Sequence, residues 1–87
     1  MTCIATRPVS DVCRSLSRIA TLPIVLDART DRQAVGDGWE RVGIVEIEPG
    51  IERVPPSICR VIGQEDFGIE RIERYPDDPG HIEVVLR

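Results

Sequence analysis

Lysine is absent from this 87-residue chain, and all eleven of its basic residues are arginine. A planar guanidinium fork suits bidentate contacts to carboxylate or phosphate. A total absence of lysine, however, touches every part of the chain. GC-rich codon usage would produce that pattern, whereas selection at one site would leave lysines elsewhere. Histidine occurs once, as His81, which rules out a histidine-rich metal site and any two-histidine mechanism. The three cysteines, Cys3, Cys13 and Cys59, are odd in number and form no CxxC pair. Neither a disulfide framework nor a zinc knuckle is expected from them, and no metal or cofactor is assigned. Reduced thiols packed as small hydrophobes suit a cytoplasmic protein. No apolar run approaches the roughly 18 residues of a membrane span. The glycines supply neither G-x-G-x-x-G nor a P-loop, and the Cys-x5-Arg spacing of a phosphatase loop is missing. The first 22 residues are mildly basic and Ser/Thr-rich with one acid. That composition has a transit-peptide flavour, but the segment is read as structural.

What is present points to strands. Isoleucine and valine number twenty-one, against four leucines and four alanines. β-branched side chains lose rotamer freedom in helices and pack well on pleated surfaces. The length holds one small domain, residues 1–87, which buries only about 60–65% of its unfolded surface. A deep enzyme cleft of about 300 Å³ would consume much of such a core, so a surface-acting or self-associating protein is favoured. The net charge of −4 is uneven: residues 1–43 carry +1 and residues 44–87 carry −5. An acidic half argues against direct nucleic-acid binding, which wants a basic stripe. It permits a basic protein partner, although ordinary solubility explains it as well.

Along the chain, residues 2–6 suggest a short strand. Ser10 has the character of an N-cap before Val12, Leu16, Ile19 and Ala20 at helical spacing, which gives an amphipathic helix over about residues 10–22. Cys13 lies on its apolar edge. Residues 23–27 form a buried-strand run, and the polar stretch 28–34 leads to the turn signal Gly36-Asp37-Gly38. Residues 39–48 predict a long strand, broken by Pro49-Gly50, and residues 51–54 a further strand in a hairpin. Ser57 can cap a helical turn over residues 58–62, with a strand nearly as well supported. Residues 63–68 read as a loop anchored by Phe67. Residues 69–75, a connection at 76–80 and residues 81–87 complete a hairpin, with Ile82, Val84 and Leu86 on one face. A helix is the rival for 69–75, because Ile69, Ile72 and Tyr75 also fall three apart. The whole is α+β: a small antiparallel sheet of four or five strands with one amphipathic helix packed on a face.

Ile-Glu-Arg occurs three times, at 51–53, 69–71 and 72–74. Two copies of the longer match are too few for a solenoid, so the triplets are read as sheet surface. They direct attention to Glu46, Glu48, Glu52, Glu70, Glu73 and Glu83, with Arg71 and Arg74 interspersed, as an array able to hold a basic partner. Cross-strand Glu–Arg pairing within the sheet is the plainer alternative, at about 0.2–1 kcal/mol per pair. Trp39 beside the glycine-rich turn is either an interface anchor or a core plug. Arg14 and Arg18, with Arg7 in the vicinity, make a secondary basic face.

Catalytic candidates are weaker. Cys59 adjoins Arg60, which favours a thiolate if both are exposed, but Ile58 and Val61 flank it. His81 follows Gly80 at a turn. Asp27 and Asp31 are a loose carboxylate pair of the kind that loops collect for local hydrogen bonds. The reading that follows is a non-enzymatic binding protein. It is an inhibitor or accessory factor docking an acidic, Arg-interspersed surface on a larger protein or nucleoprotein. A phage or mobile-element protein acting on a host complex belongs to that class. The alternatives are a structural subunit that self-associates through a sheet edge, as a homodimer would, and a small thiol or acid–base enzyme using Cys59, His81 or Asp27. If the acidic array is the docking surface, joint charge reversal of Glu46, Glu48, Glu70 and Glu73 weakens partner binding and leaves the fold intact.

Overall fold

In the computed structural model, which describes residues 4–75 and 82–87, the chain forms a four-stranded antiparallel sheet with two helices. The strands are β1 (Val25–Val35), β2 (Gly38–Ile47), β3 (Ile69–Arg74) and β4 (Ile82–Leu86), in the order β1-β2-β4-β3. The helices are α1 (Val9–Ala20) and α2 (Pro56–Gln64). An α+β fold with α1 packed on the sheet is therefore established, with a second helix beyond the one expected.

Each element has a local cause. Helix α1 buries Val12, Ser15, Leu16 and Ile19, a stripe at helical spacing. Its N-cap is Pro8 rather than Ser10, which lies inside the first turn. The fixed φ of proline suits the helix entrance and needs no side-chain cap. Residues 4–6 form a 3-10 turn rather than a strand; Ile4 is buried in the core cluster. Helix α2 starts with Pro56 in its first turn behind Pro55 as N-cap, a position proline favours because its missing N–H would have no partner there. Ile58 and Ile62, one turn apart, face the core, and this settles the segment as helix. Gly63 and Gln64 extend it into the expected loop.

The strands depart from expectation in two places. The polar stretch 28–34 is not a loop but the body of β1. An edge strand of a protruding ribbon buries little of either face, so it needs no apolar alternation to be a strand. Residues 51–54 form no strand. They lie between Gly50, at φ +91, and Pro55-Pro56, and prolines cannot donate to a ladder. Ile51 and Val54 instead plug the core margin. The β1–β2 hairpin turns on Gly36 and Asp37, with Gly36 at φ +57, a left-handed value that glycine takes at no steric cost. β3 is a strand over Ile69–Arg74, against the helical rival, and pairs antiparallel with β4. The 76–80 connection and His81 lie outside the described residues, as does Cys3.

Register fixes the two faces. Val45, Ile47, Ile82, Val84 and Leu86 point to α1 and α2, and with Ile4, Val12, Leu16, Ile19, Ile58, Ile62 and Phe67 they make the main core. At Gly43 a Cβ would lie 3.3 Å from Leu86 Cβ and 3.4 Å from Leu16 Cδ2, so the helix approaches the sheet closely there. The opposite face carries a smaller buried cluster, Val42, Ile44 and Val85. Among the described residues no helix is long and apolar enough to cross a membrane.

Candidate functional site: the charged sheet face and the hairpin end

The face opposite the helices is built by strand pairing. Asp27 stands opposite Glu46 and Arg29 opposite Ile44 on β1–β2. Glu46 opposes Glu83 on β2–β4, and Glu83 opposes Glu73 on β4–β3. This row of carboxylates would repel itself without cations. Arg29 supplies one, reaching Glu83 at 2.9 Å, Asp27 at 3.3 Å and Glu46 at 3.9 Å. Arg71 supplies another, bonding Glu73 at 2.6 Å and Glu70 at 3.1 Å. The bond to Glu73 and the surrounding carboxylates hold the Arg71 guanidinium above its ordinary pKa. Gln33 donates to Glu70 at 2.9 Å and accepts from Arg71 at 2.8 Å. Arg87 lies 4.0 Å from Glu40 and 3.8 Å from Glu70. Together these side chains lie on the face that carries Val42, Ile44 and Val85.

Glu46, Glu70, Glu73 and Glu83 are thus partnered within the chain, as the plainer reading of the triplets has it. Carboxylates still outnumber guanidiniums on this face, since Asp31 and Glu40 share it with Asp27 and the four glutamates. Tyr75 closes the row: its hydroxyl donates to Glu73 at 3.3 Å. A hydrogen bond to Glu83, then loss of hydration and the carboxylate charges of Glu83 and Glu73, push the phenol up to about 12. Glu48 and Glu52 stand apart: Glu48 follows the end of β2 and Glu52 lies in the irregular 51–54 segment, both exposed. Arg74 donates to the backbone carbonyl of Glu52. The six glutamates therefore do not form one array.

On the secondary basic face, Arg14 and Arg18 lie one turn apart and exposed on α1. Arg18 bonds Glu65 at 2.6 Å. Arg7 turns inward, donating to Ser15 Oγ at 3.2 Å and to the Glu65 carbonyl at 3.2 Å, with its guanidinium 4.7 Å from the Phe67 ring centroid. It clamps the exit of α2 to α1, a structural role the sequence did not reveal. Arg14 and Arg18 both stay exposed on α1, whereas Arg7 does not.

The catalytic candidates are dispersed. Cys59 is half-buried, and Cys13 is exposed rather than packed in the core, because the stripe that faces the sheet passes through Val12 and Leu16 instead. Asp27 is committed to Arg29. Asp31, four residues on in an extended strand, stands about 13 Å away. Among the described residues no group of three or more His, Cys, Asp or Glu is arranged to hold a metal ion.

Trp39 is the outlier. It is 73% exposed, so it is no core plug. It stands opposite Ala34, and Arg32 stands opposite Arg41 one step down the same ribbon face. Arg32, Trp39, Glu40 and Arg41 line a cleft of about 350 Å³. No ion pair reaches Arg32 or Arg41 from the described residues. A second, apolar cleft of about 410 Å³ lies between the α1–β1 turn and α2, lined by Leu22, Pro23, Ile24, Pro55, Ser57, Ile58 and Val61. Ile24 there adopts φ +66, a left-handed value unfavourable for a β-branched residue.

No family model, curated protein or solved structure matches this chain.

Proposed function

We propose that the protein is a non-enzymatic binding module that docks on a larger protein, with Trp39 as anchor and Arg32 and Arg41 as its flanking polar contacts. The observation that carries this reading is the exposure of the single tryptophan near the end of a projecting hairpin, one step from a facing pair of guanidiniums without ion pairs among the described residues. Tryptophan and arginine dominate interface hot spots, and a hairpin end presents them ahead of the body. The charged sheet face contributes long-range attraction toward a basic partner rather than direct contact, because Glu46, Glu70 and Glu73 are held within it. This changes the expected effect of reversing those charges. Such variants lose intramolecular pairs and are expected to weaken the fold as well as any partner affinity.

The test is affinity capture from the native host with wild-type protein and with Trp39→Ala and Arg32→Ala/Arg41→Ala variants, each checked for native circular dichroism. A specific partner retained by wild type and lost by the folded variants supports the reading. Equal capture by all three contradicts it.

A further inference from the structure

β1 is an open edge of the sheet: its neighbour on one side is β2, and no strand pairs with the other among the described residues. It runs eleven residues, and its single irregularity lies at its start, between Val25 and Asp27. The other edge, β3, is six residues long with an irregularity between Ile69 and Arg71. Short, bulged strands are how sheets blunt their edges, so β3 is protected and the body of β1 is not.

We infer that β1 pairs antiparallel with β1 of a second copy of this chain, about a two-fold axis at Thr30. The axis lies at the middle of the strand, so the overlap takes in its whole regular part from Asp27 to Gln33. In this register Thr30 faces its own copy, and Arg29 faces Asp31 of the second copy twice by symmetry. Asp27 faces Gln33 and Ala28 faces Arg32. No like charges oppose. The regular pairing ends at Asp27 and Gln33, because the irregularity between Val25 and Asp27 takes the start of the strand out of the alternation. Neighbouring registers are disfavoured. Faces are preserved only by shifts that keep the side-chain alternation. A shift one way sets Arg29 against Arg29 and Asp27 against Asp31. The other way sets Asp31 against Asp31. The charges that would discourage general edge pairing therefore select one register. Edge pairing buries little area beside the roughly 1,600 Å² of a standard interface, so the association is reversible and concentration-dependent. It goes beyond the docking reading above and does not rest on it, because Trp39 lies on β2 outside the seam.

Sedimentation equilibrium from low micromolar to sub-millimolar protein measures the association, and Asp31→Arg is expected to weaken it by about tenfold or more, since like charges then face each other twice. A second variant fixes the register. Thr30→Cys, in a chain with Cys3, Cys13 and Cys59 replaced by serine, places two thiols directly opposite, within the roughly 4.4–6.8 Å Cα separation a disulfide needs. It is expected to cross-link on mild oxidation, whereas Arg32→Cys in the same background, facing Ala28, is not. A protein that stays monomeric over the whole range overturns the inference. So does a dimer that ignores Asp31→Arg, or one in which the Thr30→Cys variant fails to cross-link.

Discussion

At Asp66 a left-handed backbone, φ +64, ends α2. The Asp66 N–H bonds the Gly63 carbonyl and the Phe67 N–H bonds the Ile62 carbonyl, the double bond of a Schellman stop with its apolar contact between Phe67 and Ile62. Glycine is the usual residue at that place, and an acid there also meets the negative end of the helix dipole. Asp66→Gly is therefore expected to raise stability by about 0.5–1 kcal/mol, read from urea unfolding midpoints. Tyr75 gives a second test at this scale, because it is the sole tyrosine. Its phenol titrates at about 12 instead of 10.0. Ultraviolet titration reports it alone, and Glu83→Gln is expected to bring the value down toward 10.0. A phenol raised in the folded state contributes stability that is complete below about pH 10 and lost as pH climbs through about 12. The anchoring of Phe67 was legible in the sequence; the αL stop at Asp66 was not, because the nearby Gly63 and Gly68 carry the stronger loop signal.

Among the elements, α1, β2 and β4 followed from periodicity, since apolar residues recur at helical spacing from Val12 to Ile19 and alternate at Ile82, Val84 and Leu86. The errors fell where exposure or proline removes the periodic signal. The distal part of β1 is polar because a ribbon edge buries little, and residues 51–54 look strand-like but are hemmed in by Pro49-Gly50 and Pro55-Pro56. Cys13 is exposed because α1 turns Val12, Ser15, Leu16 and Ile19 to the core, and that orientation makes a prediction. Leu16, 2% exposed, is expected to cost about 2–5 kcal/mol on replacement by alanine. Cys13→Ala on the same helix is expected to stay within about 0.5 kcal/mol. Thermal or urea unfolding of the two variants checks both, and a comparable loss at the two positions would contradict the packing described for α1.

For the molecule as a whole, composition indicated an α+β domain whose charge lies mainly in its second half, and the sheet shows where that charge goes. Pairing brings Arg29 from the first half to Glu46 and Glu83 in the second, a contact between distant residues that no local pattern discloses. What looked like a docking array is mainly a self-paired face, and the large hydrophobic most exposed among the described residues is Trp39, beside Arg32 and Arg41. The triplets drew attention by repetition, whereas Trp39 had no pattern around it beyond a turn. As the only tryptophan, it also carries the most direct test. Protein labelled with 5-fluorotryptophan gives a single fluorine resonance, to be followed on addition of native-host lysate and of an unrelated lysate. A docking role for Trp39 predicts that the resonance shifts or broadens in the native lysate alone and that Arg32→Ala/Arg41→Ala abolishes the change. A resonance that keeps its free position in both lysates would contradict it.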